Sequence, residues 1–321
     1  MYIKFWGTRG SIPTPLSSAN LREKIHRALQ GAIGLDLSDS AVVEQYLDRL
    51  PFSVGNTIGG NTTCIEIQSG DQLLIIDAGS GVRVLGQELM SRGFGQGGQK
   101  IDFLISHTHW DHIQGFPFFV PAFIPGNQII FHSPFPDLEA RLNKQQHEVF
   151  FPVSTDYMSA EIAFNQLQEK EWHQIGRWRV YPLRLSHPGQ TFGYRIEDGQ
   201  SCVVFASDGE YKRLDRRSTE EFIAFFQDAD LLIFDAQYSL TEVLDKPDWG
   251  HSSAVMGAEL AHRAKVKRLA LFHHDPTSSD DKVLTAQQEA EAYLMRAHKM
   301  RDHTSRQAEV LVAYDGLDLE I

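Results

Sequence analysis

The chain has 321 residues, 42% of them hydrophobic, which is enough for a sizeable buried core and excludes a disordered protein. Acidic residues outnumber basic ones 42 to 30, and the formal net charge of −12 disfavours an extended phosphate-binding surface, and with it nucleic acid as a partner. No apolar run is long enough to span a bilayer, and the start MYIKFWGTRG has no basic segment followed by an apolar one, so a cytoplasmic protein with no membrane partner is expected.

In chain order, short runs with strand character fall at 2–6, 62–67, 72–77, 101–106 and 128–132. A second set follows at 179–185, 191–197, 201–207, 230–235, 267–272 and 309–314. Helical periodicity occupies 81–91, 136–147, 218–228, 252–264 and 281–301, the last opened by the acidic pair Asp280 and Asp281. Strands in two groups with helices between them predict an α+β fold of two packed sheets flanked by helices, a four-layer αββα sandwich. Nothing resembling a linker divides residues 1–321, so a single domain is expected. Residues 16–58 look inserted between the first strand and the second, with amphipathic helices at 19–31 and 39–50. Two readings are open: a cover over a sheet edge or a subunit contact, giving a homodimer, and a lid over the active site.

Cys64 and Cys202 each lie inside a strand-like run, which argues against a disulfide framework and a thiolate-rich metal site. Fourteen histidines in so acidic a chain remain to be explained. The run IDFLIS leads straight into HTHWDH, placing His107, His109, Asp111 and His112 in the loop at a strand's end. Residues two apart on extended backbone point the same way, so His107 and His109 can hold one ion while Asp111 and His112, after the chain bends, hold a second. Imidazole and carboxylate together suit zinc first, with manganese or iron as alternatives. Further candidates end later apolar runs: His187 in LSHPG, Asp208 in FASDGE and His273 in LALFHHDP, with His274 as the rival of His273.

These residues resemble the metallo-β-lactamase superfamily over nearly the whole chain apart from 16–58, HTHWDH standing where that family has its HxHxDH motif. IIDAGSG is similar to the family's strand-to-turn signature, which implies that Asp77 supports the metal loop. The resemblance implies two divalent metal ions, one held by His107, His109 and His187, the other by Asp111, His112 and His273, with Asp208 bridging. Within the superfamily, GTRGSIPTP, ADLLIFDAQY, GHSSA and RLALFHH resemble segments of the ribonuclease Z type and related cyclic-nucleotide phosphodiesterases. The chain departs from that branch at Phe234 and Asp235, which replace its usual His and Glu, and in having no long glycine- and proline-rich arm.

A dinuclear metal-dependent hydrolase is therefore expected, in which metal-activated hydroxide attacks a phosphodiester, Asp111 also orients the hydroxide, and His251 in GHSSA protonates the leaving alkoxide as general acid. Asp235 would hold His251 in the right tautomer. The expected substrate is a small phosphodiester such as a cyclic nucleotide. Arg9, Lys212, Arg213, Arg216 and Arg217 are the basic residues nearest the site in sequence and form no long track for RNA. The alternatives are a thioester, lactone or other carbonyl hydrolase, and a tRNA 3′-processing endoribonuclease.

Overall fold

Fourteen strands punctuate the described residues: β1 (Tyr2–Gly7), β2 (Cys64–Ser69), β3 (Gln72–Ile76), β4 (Lys100–Leu104), β5 (Gln128–Ser133), β6 (Glu161–Gln166), β7 (His173–Ile175), β8 (Trp178–Leu185), β9 (Thr191–Glu197), β10 (Cys202–Ala206), β11 (Leu231–Asp235), β12 (Arg268–Phe272), β13 (Glu309–Val312) and β14 (Asp318–Glu320). This computed structural model describes residues 1–211, 216–301 and 307–321, and not the side chains of 216–218, 300 and 301. One sheet has the order β14-β1-β2-β3-β4-β5-β6 and the other β13-β12-β11-β10-β9-β8-β7. In the first, β3, β4, β5 and β6 run parallel; in the second, β10, β11, β12 and β13 do.

Parallel strands covered on both faces have no solvent side, which is why they read as unbroken apolar runs. Side chains alternate across them. On β11, Leu231 and Ile233 join the core between the sheets, while Leu232 and Phe234 join the core under the helices. Ala270 and Phe272 against Leu269 and Leu271 repeat that division on β12. Helices Arg216–Phe226, Ala254–Arg263 and Asp280–Arg301 belong to that second sheet. Helix Gly81–Ser91 buries Val82, Leu85 and Leu89 in the core of the first. The layers are thus the αββα sandwich expected from the strand grouping.

Three strands escape the sequence reading, β6, β7 and β14, and all three are sheet edges. Each is short or largely in solvent and so carries too few apolar residues to be found, unlike the fourth edge, β13; β6 is wholly half-buried or exposed. Elsewhere the expected bounds shift by a few residues. The strand expected at 62–67 begins at Cys64 because the Thr63 carbonyl accepts from Gly79 N–H in the loop after β3. The run expected at 309–314 stops at Val312.

Between β1 and β2, helices Ser18–Gly31 and Ser40–Arg49 bury none of their residues. Leu21, Ile25 and Leu29, four apart on one face, are 49%, 51% and 60% exposed. Lys24 Nζ anchors the segment through Asp280 Oδ2 (2.7 Å), Ser53 O (2.6 Å) and Asn56 O (2.8 Å), with Arg27 on Asp281 (3.0 Å). It therefore sits at the start of helix Asp280–Arg301. No helix among the described residues is long and apolar enough to cross a membrane.

On the helix side of the first sheet the core is aromatic. Phe103 stacks on Phe131 at 5.0 Å and meets Phe119 edge-on at 5.5 Å, all three fully buried. Phe103→Ala should cost about 3–5 kcal/mol, read as a lower midpoint in urea unfolding with unchanged slope. A loss below about 1 kcal/mol would show that this cluster repacks freely.

Candidate metal centre

The ligand candidates hang from the carboxyl ends of strands: Asp77 follows β3, residues 105–112 follow β4, His187 follows β8, Asp208 follows β10, Asp235 ends β11 and His273 follows β12, while His251 precedes helix Ala254–Arg263. Strands running side by side in one direction bring their ends to one edge of the sandwich, where loops are free of ladder bonds. The backbone is strained there. Asp77, Asp208 and His273 have φ of 57°, 59° and 58°, a left-handed conformation that non-glycine residues adopt at a cost and that recurs at functional sites.

His107, His109 and His187 bring their ring nitrogens together: His107 Nε2 is 3.0 Å and His187 Nε2 is 3.1 Å from His109 Nδ1. A second group lies beside them. His273 Nε2 is 3.1 Å from Asp111 Oδ2 and 3.4 Å from His112 Nε2. Asp208 faces both groups, with Oδ2 3.3 Å from His112 Nε2, Oδ1 3.3 Å from His273 Nε2, and Oδ1 4.0 Å from Nε2 of both His107 and His187. All seven residues predicted from sequence meet in one cluster.

The surroundings fix which nitrogen faces inward. His187 Nδ1 donates to Gly250 O (2.9 Å), His112 Nδ1 to Asp77 Oδ2 (2.7 Å) and His273 Nδ1 to Gln237 Oε1 (2.9 Å). Each ring then turns a lone pair toward its neighbours, the orientation a cation requires. Asp77 is held in turn by Ser106, whose N–H and Oγ each donate at 2.7 Å. Charge agrees with this donor set. Burial pushes His112 and His273 down, yet Asp208 foremost, with Asp111 and other carboxylates, holds His112 well above the usual histidine value and raises His273 to about 9. Carboxylates so placed demand positive charge at this point. His274 faces away: its Nε2 donates to Ala313 O (2.8 Å), and burial lowers it to about 3.

Asp235 is fully buried and saturated. Its carboxylate accepts from the backbone N–H groups of Asp208, Gln237 and Ser252, each at 3.1 Å, and from His251 Nδ1 at 2.7 Å. The shorter side chain at 235 therefore still reaches His251, while Phe234 lies in the helix-side core against Tyr211. The cleft over the cluster is lined by Ser11, Thr108, His109, Trp110, Asp111, His187, Asp208, His251 and His273. No described residue of 16–58 lines it, so those helices form no lid over it. Arg9 is not free for substrate: it is 5% exposed, and its guanidinium donates to Gly59 O, Asp275 O and Ser278 O at 3.0 Å. Lys212 and Arg213, and the side chains of Arg216 and Arg217, lie outside the described residues.

Two contributors were not foreseen. Ser11 N–H donates to Asp111 Oδ2 (2.6 Å), and Gln237 orients His273. Both stand in motifs already noted, GTRGSIPTP and ADLLIFDAQY, where proximity to a ligand was the available signal.

A family model for the beta-lactamase superfamily domain matches residues 73–274, from β3 to the residue after His273. The chain belongs to this superfamily. It is a hydrolase of the metallo-β-lactamase fold, a fold whose members use divalent metal ions. A relative named "Probable metallo-hydrolase YhfI" from Bacillus subtilis is 28% identical over 213 residues, covering 64% of this chain and 77% of that protein. Its crystal structure matches with a TM-score of 0.64 at 19% identity, over 100% of this chain and 98% of that one. Ribonuclease Z of Nitrosopumilus maritimus is 24% identical over 299 residues, covering 81% of this chain and 93% of the relative. The unliganded yeast phosphodiesterase PDE1 shares the fold at a TM-score of 0.60 and 14% identity, over 100% of this chain and 99% of that chain.

Proposed function

We propose that this member of the superfamily is a phosphodiesterase with two metal ions that acts on a small phosphodiester such as a cyclic nucleotide. His107, His109 and His187 would hold one ion, Asp111, His112 and His273 the other, and Asp208 both, as its position between the two groups suggests. Divalent ions there, zinc first among the candidates, supply a nucleophile at neutral pH and positive charge for the phosphoryl oxygens.

The observation that carries the reading is the Asp235–His251 pair at 2.7 Å on the rim of the ligand cluster. An alkoxide leaving from phosphorus needs a proton. Asp235, itself fixed by three backbone N–H groups, keeps the proton of His251 on Nδ1, so that Nε2 faces the cleft and can pass a second proton to the departing oxygen. Asp111, anchored by Ser11 N–H and His273, would help to orient the attacking water. Hydrolysis of a thioester, whose thiolate departs without a proton, has less use for so completely supported a pair.

Size is argued from charge. The chain carries −12, and among the described residues no Lys or Arg lines the cleft over the cluster. A grip on tRNA needs many phosphate contacts and weakens steeply with salt. The relatives named ribonuclease Z favour the rival reading, tRNA 3′ processing. Turnover of 2′,3′- and 3′,5′-cyclic nucleotides, compared with that of a precursor tRNA carrying a 3′ trailer at low and physiological salt, separates the two. Efficient cleavage of the cyclic nucleotides with the tRNA inert at physiological salt is expected; the opposite pattern sinks the small-substrate reading.

A further inference from the structure

A second cavity, of ≈ 570 Å³, adjoins the metal centre and shares Thr108 and Trp110 with its cleft. Its size falls within the range of about 300–1,000 Å³ typical of small-molecule sites. Four aromatic rings line it, Trp110, Phe118, Phe150 and Phe151, together with Lys144 and with Arg141, which is paired to Asp137. Trp110 is 82% exposed, Phe118 52% and Phe150 71%. Large rings left in water around one hollow are the mark of a binding surface and not of a core. Phe118 meets Phe151 edge-on at 5.4 Å, which fixes one wall. Gln145, which also lines the cavity, is fixed by the bond from its Nε2 to Ile113 O (2.8 Å). Lys144 makes no ion pair among the described residues and sits in the last turn of helix Leu138–Gln145.

We propose that this cleft is a nucleobase subsite, so that the substrate class is a nucleoside phosphodiester whose base lies between Trp110 and Phe118 while its phosphorus sits at the metal centre. The inference rests on the phosphodiesterase reading for the second half of that statement only. A planar heterocycle suits this hollow: it stacks on the exposed rings, and Lys144 can donate to a carbonyl or ring nitrogen at its edge. Because Trp110 belongs to both cavities, one molecule can fill them together.

Two esters with the same leaving group test the catalytic half: the p-nitrophenyl ester of thymidine 5′-phosphate and methyl p-nitrophenyl phosphate, both releasing p-nitrophenolate from the metal-loaded enzyme. The nucleoside ester should be preferred in kcat/KM. Trp110→Ala combined with Phe118→Ala should reduce that preference roughly 10- to 100-fold, the worth of stacking one base. Calorimetric titration with 5′-AMP and ribose 5-phosphate tests the subsite without turnover. Wild-type protein should bind AMP at least about tenfold tighter, and the double variant should lose the difference. Inert esters with this binding difference intact would end the phosphodiesterase reading and leave the subsite standing. Equal binding of AMP and ribose 5-phosphate, or an undiminished preference in the variant, overturns the subsite. Competition by a single-stranded RNA hexanucleotide more than about tenfold stronger than by AMP would overturn the small substrate in favour of an RNA end.

Discussion

Asp208→Ala should leave the protein with less than one equivalent of transition metal, where wild-type protein purified without chelator should carry about two. The reason is geometric. One carboxylate faces the histidines of both groups, at 3.3 Å on one side and 4.0 Å on the other, so no other side chain compensates for both ions when it is removed. Phosphodiesterase activity should fall roughly 10³-fold or more, the several kcal/mol that bound cations contribute to the transition state. Thermal unfolding supplies a readout independent of activity. A chelator should lower the Tm of wild-type protein, because ligand bound only to the folded state stabilises it, and should leave the variant nearly unmoved. A variant that keeps two equivalents and the chelator response would refute the bridging role, and a wild-type protein fully active with one equivalent would refute the dinuclear site.

His251→Ala should behave in the opposite way, keeping its metal and losing turnover. Substrates with alkoxide leaving groups should slow by on the order of 10²- to 10⁴-fold, the usual contribution of a general acid. An aryl ester should slow far less, since a phenolate of low pKa departs unaided. Asp235→Asn should repeat part of the loss, because the amide cannot accept from His251 Nδ1 through its NH2 and disturbs a carboxylate that also caps three backbone N–H groups. Metal analysis and the ratio of alkyl to aryl turnover, measured on one sample, decide the matter. Loss of metal in His251→Ala would make His251 a ligand and unseat His273; equal loss on both ester types would show that His251 does not protonate the leaving group.

Sequence by itself determined the layered architecture and the membership of the cluster. The inner strands are legible because burial on both faces forces continuous apolar runs, and β10, β11 and β12 are read almost to the residue. Edge strands β6, β7 and β14 carry no such signature, since they are short or largely left to solvent and show no continuous apolar block. The ligand candidates are legible because each ends an apolar run and because HTHWDH packs four donors into one loop. Only the tertiary structure decided which residues face one another. Adjacent histidines cannot be separated by composition: His273 takes the left-handed turn at φ 58° that aims it at Asp111, while His274 continues into the bond with Ala313 O. The reach of Asp235 to His251, the employment of Arg9 as a structural tie, and the removal of residues 16–58 from the mouth of the site were likewise fixed in space. Each depends on contacts between segments tens to hundreds of residues apart, and a one-dimensional pattern carries periodicity and chemistry but not the distances between its distant parts.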